Sequence, residues 1–350
     1  MLERHDPARV ASGIPIGVVA TAAYLPSEWT TAAQLAELTG IDEGVIVERF
    51  GLRGKHRAAR GEHVTDMARE AARRLFAEQS FDPLEVDALV YFGSTYKDYP
   101  VWQVAPRIAH ELGCTRAFAL ELDYVSCGSP VALRMARGLM ADDPLVRTVL
   151  LVGASCESRL IDYHNERTRF MFNFGDGAVA VLLRRDHESN HVLKTAMRTD
   201  GSFSLNVKVP AGGSVEPASH HSVDLGHHTM DVVDEPAMRA GLDAVSLDNF
   251  LWVAREAVER SGYSVRDIDY VCPIHMKRSM HRAVLEALGC REDHAVYLED
   301  AGHMSGVDNL LGLDRLDRSG RLGDGDLVLL LAAGTGYTWA ATLIRWGSAQ

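Results

Sequence analysis

The sequence predicts an α/β fold duplicated within one chain, with strand–helix units laid on a mostly parallel sheet. Three observations carry that reading. Strand-like and helix-like stretches alternate along most of the chain. Two runs, Thr148–Gly153 and Leu327–Ala332, are almost continuously apolar, as strands are when helices cover both sheet faces. The halves also match in detail. Asp82–Leu89 and Ser264–Val271 each place a polar turn and a Val-Asp or Ile-Asp pair before a buried strand, and Thr148–Ala154 parallels Leu327–Ala333. The competing account of this match is generic buried-strand composition without common ancestry.

The elements follow in order. Ile16–Leu25 reads as a strand ending in a Pro turn, and Thr31–Thr39 and Asp42–Arg49 read as helical. His63–Gln79 is a strongly amphipathic helix with Thr65 and Asp66 in its first turn. Ala88–Phe92 is a buried strand closed by Gly93, Val101–Leu112 a helix, Phe118–Leu122 a strand and Pro130–Met140 a small-residue helix. Thr148–Gly153 and Gly177–Leu183 complete the first half as strands. The second half repeats the order: helix Asn249–Ser261, strand Tyr270–Pro273, helix Ser279–Leu288, strand Ala295–Leu298, helix Gly306–Arg315, and strands Leu327–Ala332 and Trp339–Ile344. Between the halves, Pro210–Asp234 is rich in Gly, Ser and His and reads as a long surface excursion of the kind that lines binding sites.

Composition narrows the function classes. The chain has 350 residues and is 47% hydrophobic, which supports a substantial core and argues against disorder. A net charge of -12 argues against nucleic acid or an anionic membrane surface as the main partner. No run of about 18 apolar residues suggests a membrane span. Met1–Asp6 lacks a signal-peptide pattern, so a cytoplasmic location is expected. The five cysteines are scattered without metal-like spacing, and reduced thiols are the expectation. The His220-His221 and His227-His228 pairs lack any Cys or HExxH-type spacing, so no metal and no cofactor are expected.

The chemistry concentrates at strand ends. In Leu122–Pro130, Cys127 stands where a strand gives way to a helix, a position whose amides and dipole favour a thiolate. The competing reading of such a cysteine is a small, packed, inert thiol. Cys272–His275 and Asp300–Gly306 place His275 and His303 at two further strand ends, and Gly334–Thr335–Gly336 makes a Gly-rich turn between the last two strands. Ligands in α/β sheets bind beyond the carboxyl ends of strands. One histidine alone is ordinarily structural; a Cys with two His at equivalent strand ends is more specific. A thiolate attacks a thioester and holds its acyl group. Backbone amides of Cys127 and Thr335 would stabilise the oxyanion. Two imidazoles would stabilise an enolate, or one would act as a base.

These residues resemble the thiolase superfamily, specifically the ketoacyl-acyl-carrier-protein synthase III-like enzymes, almost end to end. Ile46–Arg53 looks like the family's early helix-turn, Phe174–Ala178 matches its FGDGA motif, and Gly334–Arg345 followed by Trp346 looks like its closing hairpin. The resemblance implies a five-layered αβαβα fold, internally duplicated, a homodimer, and a Cys-His-Asn active site. It makes residues 1–185 a thiolase-like half carrying the nucleophile. Residues 186–350 are then a second half carrying both histidines and the excursion at about 210–234. By position, Cys127 is the nucleophile and His275 the histidine.

The departures are specific. The family's asparagine falls on His303, and the resulting Cys-His-His set resembles chain-elongating ketosynthases. The usual Ala-Cys-Ala-Gly-Phe reads Ser126–Pro130, and the tryptophan that stacks on coenzyme A adenine is Val45. The HQANxR stretch reads His275–Met280, with Arg278 and Met280 at its Asn and Arg positions. The family's nucleotide contacts are therefore not carried over, and Arg49, Arg53, Lys277 and Arg278 become a candidate basic rim for an acidic carrier. Three readings remain. The first is decarboxylative Claisen condensation of an acyl-Cys127 with a malonyl-type thioester. The second is acyl transfer from an acyl-carrier-protein or coenzyme A thioester to a hydroxyl or amine. The third is an inactive dimeric partner subunit.

Overall fold

The computed structural model describes residues 14–348, so the N-terminal hexapeptide read above for a signal lies outside the described residues. In chain order the first half comprises β1 (Ile16–Tyr24), β2 (Glu28–Thr31), α1 (Ala32–Thr39), α2 (Glu43–Val45), β3 (Gly54–Arg57), α3 (Val64–Gln79), β4 (Ala88–Tyr91), α4 (Val104–Leu112), β5 (Phe118–Glu121), α5 (Gly128–Asp142), β6 (Thr148–Ser155) and β7 (Gly177–Arg185). The second comprises β8 (Ser189–Thr199), β9 (Val207–Lys208), α6 (His220–Asp224), β10 (Asp231–Val232), α7 (Glu235–Arg260), β11 (Tyr270–Pro273), α8 (Arg278–Leu288), α9 (Asp308–Arg318), β12 (Leu327–Gly334) and β13 (Thr338–Ser348).

Nine strands form one sheet in the order β11-β12-β13-β8-β1-β7-β6-β4-β5. Read outward from the β1–β8 seam, the two halves repeat each other. The series β1-β7-β6-β4 is matched by β8-β13-β12-β11, with antiparallel, antiparallel and parallel pairing in both. Helices α3 and α4 cover one half of the sheet, α7 covers the other with α8 packed on it, and α5 and α9 lie between the two halves. This is the five-layered αβαβα arrangement, duplicated.

The sheet is mixed rather than mostly parallel. Parallel pairing is confined to β4–β5, β4–β6 and β11–β12. Strands β6 and β7, and β12 and β13, are joined without a crossover helix, so they run antiparallel. The expected strand Ala295–Leu298 sits where β5 sits in the first half, but it is reduced to one parallel bridge between Val271 and Ala295. Strand β8, unrecognised in the sequence, forms the seam: its polar His191 and Lys194 interrupt the apolar pattern, while Val192 and Ala196 reach the core. Helix α7 begins at Glu235, well before the expected Asn249, because Asp234 caps it through Ala237 N and Pro236 occupies its first turn.

Local sequence explains the elements that position the site. Val64, Met67, Ala68, Ala71, Ala72 and Leu75 recur at helical spacing and put one face of α3 in the core. In α5, Pro130 stands in the first turn, where its missing N–H costs nothing. A short 3-10 turn, Val125–Cys127, leads into α5, and a second, Ser305–Val307, leads into α9. The two turns abut at glycines. A Cβ on Gly306 would lie 3.0 Å from Gly128 Cα and 2.9 Å from the Phe92 carbonyl oxygen, and one on Gly128 would strike that same oxygen. Gly128 therefore stands where the helix ends converge.

The excursion is not structureless. Strands β9 and β10 pair, α6 is capped by Ser219, and His227 Nδ1 lies 2.8 Å from Glu216 Oε1. Among the described residues no helix is long and apolar enough to cross a membrane.

Candidate active site

The end of the Val125–Cys127 turn, at the head of α5, presents Cys127, which is fully buried. Its Sγ–H donates to the Thr338 carbonyl at 3.0 Å. Burial pushes the thiol well above its ordinary value, and the Gly334 backbone amide pulls only weakly the other way. Desolvation therefore outweighs the favourable helix end that the sequence suggested, and Cys127 is biased toward the thiol form.

Both histidines are buried and held by one carboxylate. Asp308, the first residue of α9, is fully buried. Its Oδ2 accepts from the His275 backbone N–H at 2.8 Å and lies 2.6 Å from His303 Nδ1, while its Oδ1 accepts from Met304 N at 2.7 Å. On the other side of the His303 ring, Nε2 lies 2.8 Å from Ser126 Oγ. A continuous network therefore runs from the residue beside the nucleophile, through His303 and Asp308, to the backbone of His275.

The two imidazoles have opposite proton preferences. Both ring nitrogens of His275 are buried, and among the described residues neither completes a hydrogen bond of ordinary geometry. Burial pulls this ring down to about 4, against the opposing Asp308 carboxylate and with the help of His303. Burial would lower His303 as well, but the Asp308 carboxylate, as charge and hydrogen-bond partner, reverses that, and Glu157 adds to it. His303 lies above the ordinary value for histidine. Burial thus biases His275 toward the neutral form, while the Asp308 carboxylate biases His303 toward the charged one.

The FGDGA stretch acts as the clasp of this site. Gly175 N donates to the His303 carbonyl at 2.9 Å and His303 N to the Asn173 carbonyl at 3.0 Å, so the segment pairs with the His303 loop. The Phe174 ring meets the imidazole edge-on, 4.9 Å between centroids. Buried Asp176 accepts from Ala58 N and from Ser158 N and Oγ. Lys55 Nζ donates to the Phe172 and Phe174 carbonyls at 2.7 and 2.6 Å, and burial lowers that ammonium to about 7.

The two backbone amides expected to receive an oxyanion are differently placed. The Cys127 N–H is already committed to the Tyr124 carbonyl at 2.9 Å. Thr335 lines a cavity of about 470 Å³, and among the described residues its N–H has no protein acceptor. Gly334 packs against the nucleophile's turn, where a Cβ would lie 3.2 Å from both Ser126 N and Cys127 N.

A larger cavity of about 1300 Å³ gathers Arg49, Lys277 and Arg278 with Val45, Phe50 and Tyr337. Arg49 and Lys277 are exposed, and among the described residues neither makes an ion pair. Arg278 is pinned, 3.0 Å from Glu299 and stacked 4.3 Å over the Tyr297 ring. Arg53 lies outside this wall, paired with Glu299 at 3.1 Å. Met280 packs into the apolar cluster beneath α7 instead of facing the cavity.

Sequence reasoning missed Asp308, Ser126 and Glu157. Asp308 had a signal, an acid at a helix start five residues after a histidine; the other two had none.

Comparison with known proteins supplies the family. The 3-oxoacyl-[acyl-carrier-protein] synthase III description matches residues 120–201, and its C-terminal counterpart matches 258–346. A beta-ketoacyl-[acyl-carrier-protein] synthase III from a Bradyrhizobium species is 32% identical over 335 residues, covering 94% of this chain and 98% of the relative. The chain belongs to the 3-oxoacyl-[acyl-carrier-protein] synthase III family. Among its family relatives, the Rhodospirillum centenum synthase III is 30% identical over 334 residues, covering 94% of this chain and 98% of the relative. The crystal structure of the Thermus thermophilus synthase III superposes with a TM-score of 0.82 at 25% identity, covering 95% of this chain and all of that one.

Proposed function

We propose that this synthase III family member transfers acyl groups from thioesters through an acyl-Cys127 intermediate and condenses that group with a malonyl-type thioester, with loss of CO2. The observation that carries the reading is the pair of buried histidines with opposed proton preferences, tied by Asp308 beside a buried thiol. Neutral His275 takes the Cys127 proton as sulfur attacks the thioester carbonyl, and the Thr335 N–H receives the developing oxyanion. Collapse expels the carrier thiol, which regains the proton. In the second half-reaction the malonyl-type carboxylate leaves as CO2. The resulting enolate oxygen is held by an N–H of His275 and by cationic His303, directly or through the Ser126 hydroxyl. The carbanion then attacks the acyl carbonyl, the C–S bond to Cys127 breaks, and the departing thiolate takes up a proton from solvent to restore the resting thiol.

A second reading has its own support. His303 Nε2 is occupied by Ser126, which leaves His275 as the histidine whose ring nitrogens complete no hydrogen bond of ordinary geometry among the described residues. That arrangement suits acyl transfer to a hydroxyl or amine, with His275 as the base and no decarboxylation. The intact nucleophile and histidine pair argue against an inactive partner subunit.

The donor is proposed to arrive on an acyl-carrier protein or a short pantetheine through the larger cavity, where Arg49 and Lys277 offer unpaired positive charge and Val45 offers no stacking face. A homodimer is part of the same proposal, testable by sedimentation. Mass spectrometry of the protein with acyl and malonyl thioesters tests the chemistry. An acyl adduct on Cys127 followed by CO2 release and a 3-oxoacyl product supports condensation. An adduct discharged only onto alcohols or amines supports the second reading, and no Cys127 adduct overturns both.

A further inference from the structure

The smaller cavity holds polar groups that the transfer chemistry does not use. Its volume is about 470 Å³, and its wall includes Val125 and Ser126, the two residues before Cys127, together with Thr335. Leu160, Met171, Phe174 and Val209 make much of the remainder apolar. Into this wall the 3-10 turn after β6 sets Glu157, which is 4% exposed. Ser94 Oγ donates to its Oε1 at 2.8 Å. Burial raises this carboxyl, with Ser94, His303 and the nearby Ser305 hydroxyl opposing. Ser305 lines the same cavity, and its Oγ is buried with no completed hydrogen bond.

A hydroxyl buried without a completed hydrogen bond costs stability unless a ligand completes it, and this one stands beside a buried carboxyl. An alkyl chain leaves the hydroxyl unpaired. A ligand hydroxyl serves both groups at once, donating its proton to Glu157 and accepting from Ser305. We propose that this cavity receives the acyl chain borne by Cys127, and that Glu157 and Ser305 select a chain carrying a hydroxyl group. The inference rests on the acyl-Cys127 reading.

The test measures the rate of Cys127 acylation by intact-protein mass spectrometry. The probes are N-acetylcysteamine thioesters of short straight-chain acids, each compared with its analogues hydroxylated at successive carbons. At least one hydroxylated chain is expected to load about tenfold or more faster than its parent, because a site built around a hydroxyl penalises analogues that lack it. Glu157→Leu and Ser305→Ala are each expected to shrink or invert that ratio, while Glu157→Gln, which keeps an acceptor and the side-chain shape, retains part of it. If Glu157→Leu does not fold, the other two variants decide. Parents loading as fast as every hydroxylated chain, or a ratio unmoved by these variants, overturns the proposal alone. Failure of every thioester to label Cys127 overturns the acyl-enzyme reading, and this one with it.

Discussion

Ser126 Oγ lies 2.8 Å from His303 Nε2, so the residue beside Cys127 is hydrogen-bonded to a histidine from the other half of the chain. With His303 cationic, Nε2–H donates and the Ser126 hydroxyl proton is left to point elsewhere. Ser126 thereby either masks His303 or passes its polarity to a reacting oxygen, and the acyl-enzyme chemistry turns on which.

Acyl thioesters should modify Cys127 and not the other four cysteines. Cys114, Cys156 and Cys272 are buried, and Cys290 is half-buried. Peptide mapping after incubation checks this. An adduct on any of those four with Cys127 unmodified contradicts the proposed intermediate, and Cys127→Ala should abolish labelling.

Replacing His303 with Ala should leave Cys127 acylation largely intact and slow the second half-reaction about 10²-fold or more, the scale for losing one preorganised donor. Single-turnover measurement of each half-reaction separates the two. An unchanged second step removes His303 from the chemistry. His303→Asn should keep condensation if the synthase III arrangement is the operative one.

The pH dependence of the two histidines should differ in sign. His275 is lowered to about 4, so the acid limb of kcat/KM for acylation should fall near that value and not near 6.5. His303 is raised above 6.5 in the folded protein, so its contribution to stability is complete below 6.5 and is lost as pH rises through the folded value. Urea unfolding of the native protein and His303→Gln across this range checks the second point: the stability gap should narrow as pH rises.

Gly128→Ala should destabilise the protein by about 3 kcal/mol or prevent folding, the scale of overpacking in a rigid core. The added methyl meets the Phe92 carbonyl and the Gly306 backbone, neither of which can rotate away. Thermal unfolding measures this, and a melting temperature within a degree or two of the native protein would refute the close approach.

The same acyl group on a carrier protein, on coenzyme A and on a truncated pantetheine should rank with the carrier or the short form at least equal to coenzyme A. Arg49→Glu and Lys277→Glu should raise KM for the carrier and leave the truncated form less affected. Coenzyme A outperforming both others by a wide margin would mean that the nucleotide is recognised.

Much of the site was legible from local pattern. A strand–turn–helix junction marked Cys127, and strand ends marked His275 and His303, because both signals lie within about ten residues of the group they place. The excursion at 210–234 was legible as cavity wall through its composition, and it does line the smaller cavity. Strand β8 escaped because it sits at the seam between the sheets, where partial exposure admits His191 and Lys194. The strand at Ala295 was placed correctly along the sheet but not in extent, since hydrophobic content does not reveal how many residues a neighbour will pair.

By itself, then, the sequence determined the alternation of elements, their duplication and the residue types at the strand ends, all of which follow from periodicity and turn chemistry along the chain. Only the tertiary structure decided the protonation of the site. Whether Cys127 rests as thiol, whether His275 is neutral and whether His303 is charged depend on burial and on Asp308 Oδ2 reaching both histidines. Desolvation and charge pairing are set by distances in space, between groups more than a hundred residues apart in the case of Ser126 and His303, and no local pattern encodes them.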